Sequence, residues 1–211
     1  MSKAAARVVM RLLRTQNGVI GGLPRIVNID RNVSFYGYAE VNTQATSPVA
    51  RIKQHKAWFE PSANIVEGDL IQDRADDKYY LVMSLKKEVT GGVCTYIDGT
   101  LYWTNATCSI QRFPTGATTG TKDAFGRLIE AGPVTVASGV YIMTNSMSLG
   151  VNEQEDQVLS EEKIKVVMQA KFAPQRNDRL VSSLGDTYKV ISVDRTQLNG
   201  LWVLYVDQDI R

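Results

Sequence analysis

Residues 69–85 read DLIQDRADDKYYLVMSL, and residues 178–193 read DRLVSSLGDTYKVISV. Sliding the chain by 108 residues places Tyr80, Val82, Ser84 and Gly92 on Tyr188, Val190, Ser192 and Gly200 without a gap. Conservative partners fill the positions between: Met83 faces Ile191, Leu85 faces Val193, Lys87 faces Arg195, Gly91 faces Asn199 and Val93 faces Leu201. One extra residue in the tight turn brings Gly68-Asp69 onto Asn177-Asp178, and a four-residue length difference brings Ala57, Phe59 and Pro61 onto Ala170, Phe172 and Pro174. Three phrases in one order point to a duplicated module. It runs as a strand ending in F-x-P, an Asp-led strand, a short hairpin, a Tyr-x-Val-x-Ser strand, a seven-residue loop and a closing apolar strand.

The central strand of each copy is apolar on both faces. Alternation sends Tyr80 and Val82 one way and Leu81, Met83 and Leu85 the other. Such a strand needs cover on both sides, which a small closed barrel supplies while also hiding the sheet edges. Asp69 and Asp178 each enter a strand directly after a turn, so they read as turn formers and not as acids doing chemistry.

The rest of the chain is organised around these copies. Residues 3–16, KAAARVVMRLLRTQ, predict a helix stopped by Asn17-Gly18, with Arg7, Arg11 and Arg14 on one stripe and Val9, Leu12 and Leu13 on another. Residues 19–48 carry Gly21-Gly22, Pro24 and a Thr/Gln/Ser tail and read as an extended arm. In the first module the pair Asp98-Gly99 predicts a two-residue hairpin turn, because both residues tolerate positive φ. The Gly- and Thr-rich stretch 114–150 reads as an irregular excursion with one or two strands, and 164–172 as a strand. The expected domains are therefore 1–48 (helix and arm), 49–113 (first β module), 114–157 (irregular insertion or linker) and 158–211 (second β module). The fold class is mainly β: two related small β-barrel-like modules with an N-terminal α-helix, an extended arm and a long irregular insertion.

Composition restricts the chemistry. The chain has 211 residues, 24 Lys and Arg against 22 Asp and Glu, and a net charge of +2, so any attraction to a polyanion must be local. Cys94 and Cys108 lack histidines nearby and do not make a metal site; they read as buried or half-buried free thiols in strands, with a disulfide as the alternative in an oxidising compartment. The single histidine, His55, lies between lysines in RIKQHKAWF and reads as surface or interface material. No Gly-x-Ser-x-Gly elbow and no phosphate-cradling glycine loop accompany it. Asp76-Asp77 and the run Glu153, Glu155, Asp156 fall in polar turns, where solvation is expected. No catalytic, metal-ligating or cofactor-binding residue is expected, and the chain is read as a non-enzyme. A single-strand nucleic-acid-binding barrel is an alternative, with Tyr79, Tyr80, Tyr96, Tyr102 and Trp103 as stacking platforms and Lys53, Lys56, Lys86 and Lys87 as charge. The same aromatics sit in apolar strands and are also explained as core.

A Gly-Asp turn, a short hairpin, Y-x-V, a glycine-containing loop and a closing W-x-L-x-V strand resemble the small β-barrel head-tail joining and head-closure proteins of tailed bacteriophages. The residues carrying the resemblance are Gly68-Asp69 with Tyr80-x-Val82, and Asn177-Asp178-Arg179-Leu180 with Tyr188-x-Val190 and Trp202-x-Leu204-x-Val206. About half the chain is covered. The resemblance implies a ring component at the neck of the virion, assembled in the host cytoplasm. Its partners would be copies of itself, the portal or connector and tail proteins, and DNA passing through the channel, with no membrane. Members are often one barrel of about half this length, so a tail or baseplate hub is the alternative position. The residues expected at interaction surfaces are Arg7, Arg11, Arg14, Lys86, Lys87 and Arg195, on the helix and in the loops 86–92 and 194–200, along with the arm 19–48 and the excursion 114–150. The isolated chain is expected to be mostly monomeric.

Overall fold

The computed structural model describes residues 18–20, 22–41, 54–114, 118–122, 124–147 and 163–209. The chain divides into two compact units: Met1–Asn105 with Met168–Lys171 and Arg195–Trp202, and Ala106–Val167 with Phe172–Asp194 and Val203–Arg211. The fold is mainly β. The expected helix 3–16, with Arg7, Arg11 and Arg14, lies outside the described residues.

The first unit opens with a ribbon of β1 (Val19–Ile20) and β2 (Leu23–Pro24), followed by β3 (Ile26–Asn28), β4 (Val33–Phe35), β5 (Gly37–Val41), β6 (Gln54–Phe59), β7 (Leu70–Asp73), β8 (Lys78–Thr90) and β9 (Val93–Trp103). The last seven form one sheet in the order β4-β3-β7-β8-β9-β6-β5. Its edge strands are separated in the chain by Tyr36 alone, so the edges meet there and the sheet must curl. Tyr36 is pinned on both sides: the Glu60 amide donates to its carbonyl at 2.9 Å, and its own amide donates to Glu60 Oε1 at 3.1 Å. Inside lie Ile26, Phe35, Phe59, Ile71, Tyr80, Val82 and Leu101, all buried, with Phe35 and Phe59 edge to face at 5.6 Å. Burying each such side chain stabilises the fold by about 1.5–3 kcal/mol.

The second group comprises β10 (Ala106–Arg112), β11 (Thr118–Lys122), β12 (Leu128–Glu130), β13 (Val134–Met147), β14 (Lys163–Gln169), β15 (Arg179–Ser182), β16 (Thr187–Leu198) and β17 (Leu201–Gln208). Six of these close a barrel in the order β10-β13-β14-β17-β16-β15, and β11 with β12 forms a separate ribbon. Closure is made by β10, which pairs with both β13 and β15.

The duplication is visible in the topology. The run β5-β6-β9-β8-β7-β3 of the sheet and the run β13-β14-β17-β16-β15-β10 of the barrel have the same neighbour order, and the chain visits the matching strands in the same sequence. The extra pieces differ: β4 is interposed between β3 and β5 in one copy, and the β11–β12 ribbon between β10 and β13 in the other.

Several expectations are corrected. Residues 19–48 are not a free arm, because Ile26 and Phe35 supply core side chains and β3–β5 complete the sheet; 42–48 lie outside the described residues. The excursion 114–150 holds β13, a 14-residue strand and a wall of the barrel, whose Val140, Ile142 and Met143 are buried. Asp98-Gly99 is no turn. It lies within β9, paired with Lys86 and Leu85 of β8, because a Cβ on Gly99 would stand 2.9 Å from the Phe59 ring; this glycine makes room for a core aromatic and does not bend the chain.

The loops 86–92 and 194–200 are mostly strand: β8 runs to Thr90 and β16 to Leu198. In the first copy the turn is Gly91-Gly92 at φ +61° and +79°, the backbone that a tight two-residue hairpin requires. A bulge at Met83, where the register slips between Val82 and Ser84, returns Leu85 to the side of Tyr80 and Val82. Leu85 therefore packs on their core, whereas strict alternation sends it the opposite way. The strand expected over 164–172 ends at Gln169, and Ala170–Phe172 is a 3-10 turn, so the A-x-F-x-P phrase closes a strand only in the first copy.

Candidate functional site

Chemistry, if present, would be sought first among the buried acids, and the duplicated turn supplies two of them. Gly68 and Asn177 both adopt positive φ, +91° and +71°. Their amides donate to the carbonyls of Val82 and Val190 at 2.8 Å in each copy, while the amides of Val82 and Val190 donate to the carbonyls of Asp69 and Asp178 at 2.9 Å in each. The carboxylates close the same loop: Asp69 Oδ2 accepts the Val66 amide at 2.9 Å and Asp178 Oδ2 accepts the Gln175 amide at 2.7 Å. An arginine completes both. Arg31 Nε donates to Asp69 at 2.8 Å, and Arg112 donates through Nε and Nη2 to the two oxygens of Asp178 at 2.9 and 2.8 Å.

The correspondence continues through the next hairpin. Asp73 Oδ1 accepts the Ala75 amide at 2.9 Å, and Ser182 Oγ accepts the Leu184 amide at 3.2 Å. Asp77 and Gly185, one above the other in the 108-residue shift, both have positive φ, +55° and +93°. The hairpin acids do have counterparts, but in backbone role and not in charge. Asp73 also holds Arg25 through two 2.6 Å bonds.

Within the first unit a cleft of about 350 Å³ is lined by Asp30, Glu67, Gly68, Asp69, Gln169, Ala170, Lys171 and Gly200. Its polar groups are engaged with one another. Asp30 accepts from the Leu70 amide at 2.6 Å, from Gln169 Nε2 at 2.6 Å and from Lys171 Nζ. Gln169 Nε2 also donates to the Gly68 carbonyl at 2.8 Å. Glu67 accepts from the Leu85 amide at 3.2 Å and from Asn199 Nδ2 at 2.6 Å. Burial by itself would raise the Asp30 carboxyl, but the bonds from Lys171, the Leu70 amide and Gln169 outweigh it and hold the group below its ordinary range. A depressed carboxylate contributes stability above its unfolded value, near 4, and that contribution is lost as pH falls through the folded value. Asp30→Asn is thus expected to lower the urea midpoint at pH 7, with the difference from the parent shrinking as the pH falls below the ordinary carboxylate range and through the depressed folded value.

Compared with protein families, with curated proteins and with solved structures, the chain gives no match. What the site can do is therefore argued from its chemistry. Among the described residues no group of three or more His, Cys, Asp or Glu is placed to hold a metal ion. His55 is buried against Tyr80, ring centroids 5.0 Å apart, which corrects its reading as surface material: in β6 it lies on the same side as Ala57 and Phe59. Tyr80 and Tyr102 are buried, and burial raises both phenols. Tyr79, Tyr96 and Trp103 are half-buried.

Of the residues expected at interaction surfaces, Lys86 and Lys87 are exposed on β8, with Lys86 2.7 Å from Glu88. Arg195 is exposed on β16 with its guanidinium 4.6 Å over Trp202. The structure does not bring these three into one cluster with the cleft. Sequence reasoning missed Arg31 and Arg112, the partners of the turn acids; they lie 38 and 66 residues upstream of those acids, so no constant period marks them.

Cys94 and Cys108 are both free thiols, half-buried and buried. Burial pushes the Cys108 thiol up to about 12, so it holds its proton at neutral pH. In native alkylation at pH 8, Cys94 should be modified and Cys108 spared, with both modified in denaturant.

Proposed function

We propose that the chain is a non-enzymatic structural protein of a tailed-phage virion, a ring-forming head-closure or head-tail connector component at the neck. The observation that carries the non-enzymatic part is the cleft, where Asp30, Glu67, Asp69, Gln169 and Lys171 are tied into structural hydrogen bonds. A general acid or nucleophile needs a lone pair or proton directed at a substrate, and here those are spent on holding backbone turns. The phage assignment rests on the resemblance of the two turn-and-hairpin phrases. Support for an assembly role comes from apolar side chains left exposed near hairpin ends, Val89 and Val93 in the first module and Leu184 in the second, a composition suited to subunit contacts.

The experiment is quantitative mass spectrometry of purified particles. A fixed, ring-sized copy number supports the reading, while absence from the particles, or a copy number on the scale of a capsid shell, sinks it. The tail or baseplate hub remains the alternative position, distinguished by whether the chain stays with heads or with tails when the two are separated. The single-strand-binding reading is disfavoured by Tyr80 and Tyr102, buried and closed to base stacking. Retention of single-stranded DNA on filters that fell steeply with salt would revive it.

A further inference from the structure

We propose that the outer face of strands β5, β6, β9 and β8 binds a neutral saccharide on a platform made by Tyr38, Trp58 and Asp98; this binding does not depend on the ring reading above. The register sets the side chains in one row. Tyr38 pairs with Trp58, Trp58 with Asp98 and Asp98 with Lys86. Their chain neighbours show which way they point: Ala57, Phe59 and Ile97 are buried in the core, Leu85 packs on it, and a Cβ on Gly37 or Gly99 would meet the Phe59 ring. Alternation therefore turns Tyr38, Trp58, Asp98 and Lys86 outward. The next row on the same face is Glu40, Lys56, Thr100 and Ser84.

Two observations on this face point to a ligand. Tyr38 and Trp58 stack, with ring centroids 5.0 Å apart and planes 25° from parallel, and both are half-buried, so aromatic surface held in place beforehand stays within reach of solvent. The negative face of such a ring attracts the slightly positive C–H groups of a sugar. Beside the pair, Asp98 Oδ1 is shielded from water and has no hydrogen-bond partner among the described residues. The buried acids Glu60, Asp69 and Asp73 of the same unit are all bonded into the scaffold, so Asp98 stands apart from them. An acceptor left in this state is unfavourable, and a ligand hydroxyl recovers the loss. Asp98 as a whole is half-buried, and a carboxyl turns readily about its last torsion, which brings that oxygen to the surface.

Charge selects the ligand. On the two rows Glu40 and Asp98 balance Lys56 and Lys86, and Glu88, 2.7 Å from Lys86, adds one negative charge. A phosphate backbone is not attracted to such a surface. A cation would compete with Lys56, whose ammonium already stands 5.9 Å from the centre of the Trp58 ring. A neutral polyol meets neither obstacle. Its C–H groups would lie on Trp58 and Tyr38, its hydroxyls would donate to Asp98, and Lys56, Thr100 and Ser84 would donate to its oxygens from the next row.

The test is isothermal titration calorimetry of the full chain with cellohexaose and with chitohexaose at millimolar concentration, beside Asp98→Ala and Trp58→Ala. Thermal unfolding comes first. Asp98→Ala should unfold at the parent's temperature or above, because the carboxylate it removes holds nothing in place; a lowered temperature would make Asp98 a scaffold acid and count against the site. The expected result is binding of at least one of the two sugars, unaffected by salt, weakened about tenfold or more by Asp98→Ala, the scale of a lost hydrogen bond to a charged group, and abolished by Trp58→Ala. No heat with either sugar, or equal binding by the variants, would overturn the proposal. Argininamide or single-stranded DNA bound in a salt-sensitive way that requires Trp58 would overturn it in favour of a cationic or a nucleic-acid ligand. None of these outcomes changes the copy number of the chain in particles, so the sugar site and the assembly role fail separately.

Discussion

Gly68→Ala should be among the most destabilising single-methyl additions in this protein, by about 3 kcal/mol or more, the sum of a left-handed backbone penalty and an overpacked contact. Gly68 sits at φ +91°, and an added Cβ would meet three backbone atoms of Gly200 between 2.6 and 2.8 Å away. Backbone cannot swing aside as a side-chain tip can. Gly200→Ala should behave alike, since its Cβ would lie 2.5 Å from the Glu67 carbonyl oxygen. The control is Gly92→Ala, at φ +79° with nothing within 4 Å of the new atom: it should show only the backbone penalty, about 1–2 kcal/mol. Urea unfolding of the three variants separates the terms. Equal losses for Gly68→Ala and Gly92→Ala would mean that the close approach of the Gly200 hairpin tip is absent.

Asp178→Ala is expected to cost about 3 kcal/mol, the lower end of the range for breaking a buried ion pair, since Arg112 keeps some access to water. Asp178 is 2% exposed. Its removal strands the Arg112 guanidinium and the Gln175 amide together. Asp69→Ala should fall in the same direction with a smaller loss, because Arg31 bonds it through one nitrogen where Arg112 uses two, and the Asp69 side chain is 9% exposed against 2% for Asp178. The matched pair bears on the duplication itself. If the turns are two copies of one device, both substitutions unfold the chain more easily and Asp→Asn is milder than Asp→Ala at both sites. Destabilisation at one site with none at the other would separate the modules.

The sequence made the scaffold legible where the chemistry of a turn is local. Gly68-Asp69 and Asn177-Asp178 announce themselves because positive φ and a carboxylate reaching back to a nearby amide are short-range requirements. The strands around Tyr80 and Tyr188 follow from β-branched and aromatic runs. What failed was non-local. Asp98-Gly99 has the residues of a hairpin turn, but Phe59, forty residues away, needs the space above Gly99. Residues 26–41 look like an arm because their strands are three to five residues long, and only pairing with β7 and β6 turns them into sheet. β13 hides among glycines and threonines, since Gly139 at φ +65° interrupts its pattern. The candidate site was least legible: Asp30 lies 139 and 141 residues from Gln169 and Lys171 and meets them only in the fold.

The same reasoning explains why the charges of DLIQDRADDKYYLVMSL do not form a reactive cluster. Asp69 and Asp73 are consumed by Arg31 and Arg25, Asp76 pairs with Lys78 at 2.9 Å, and Asp77 accepts from Gln72. Each acid shapes a turn or neutralises a neighbour, as the proposed structural role requires.

The most direct measurement is the position of the chain in the assembled particle, by gold labelling of a C-terminal tag under the electron microscope. A structural ring at the neck predicts label confined to the junction between head and tail, on full particles and on heads carrying a completed neck. Label at the distal end of the tail, or particles that bind no gold while the tagged chain remains free in the lysate, would contradict it.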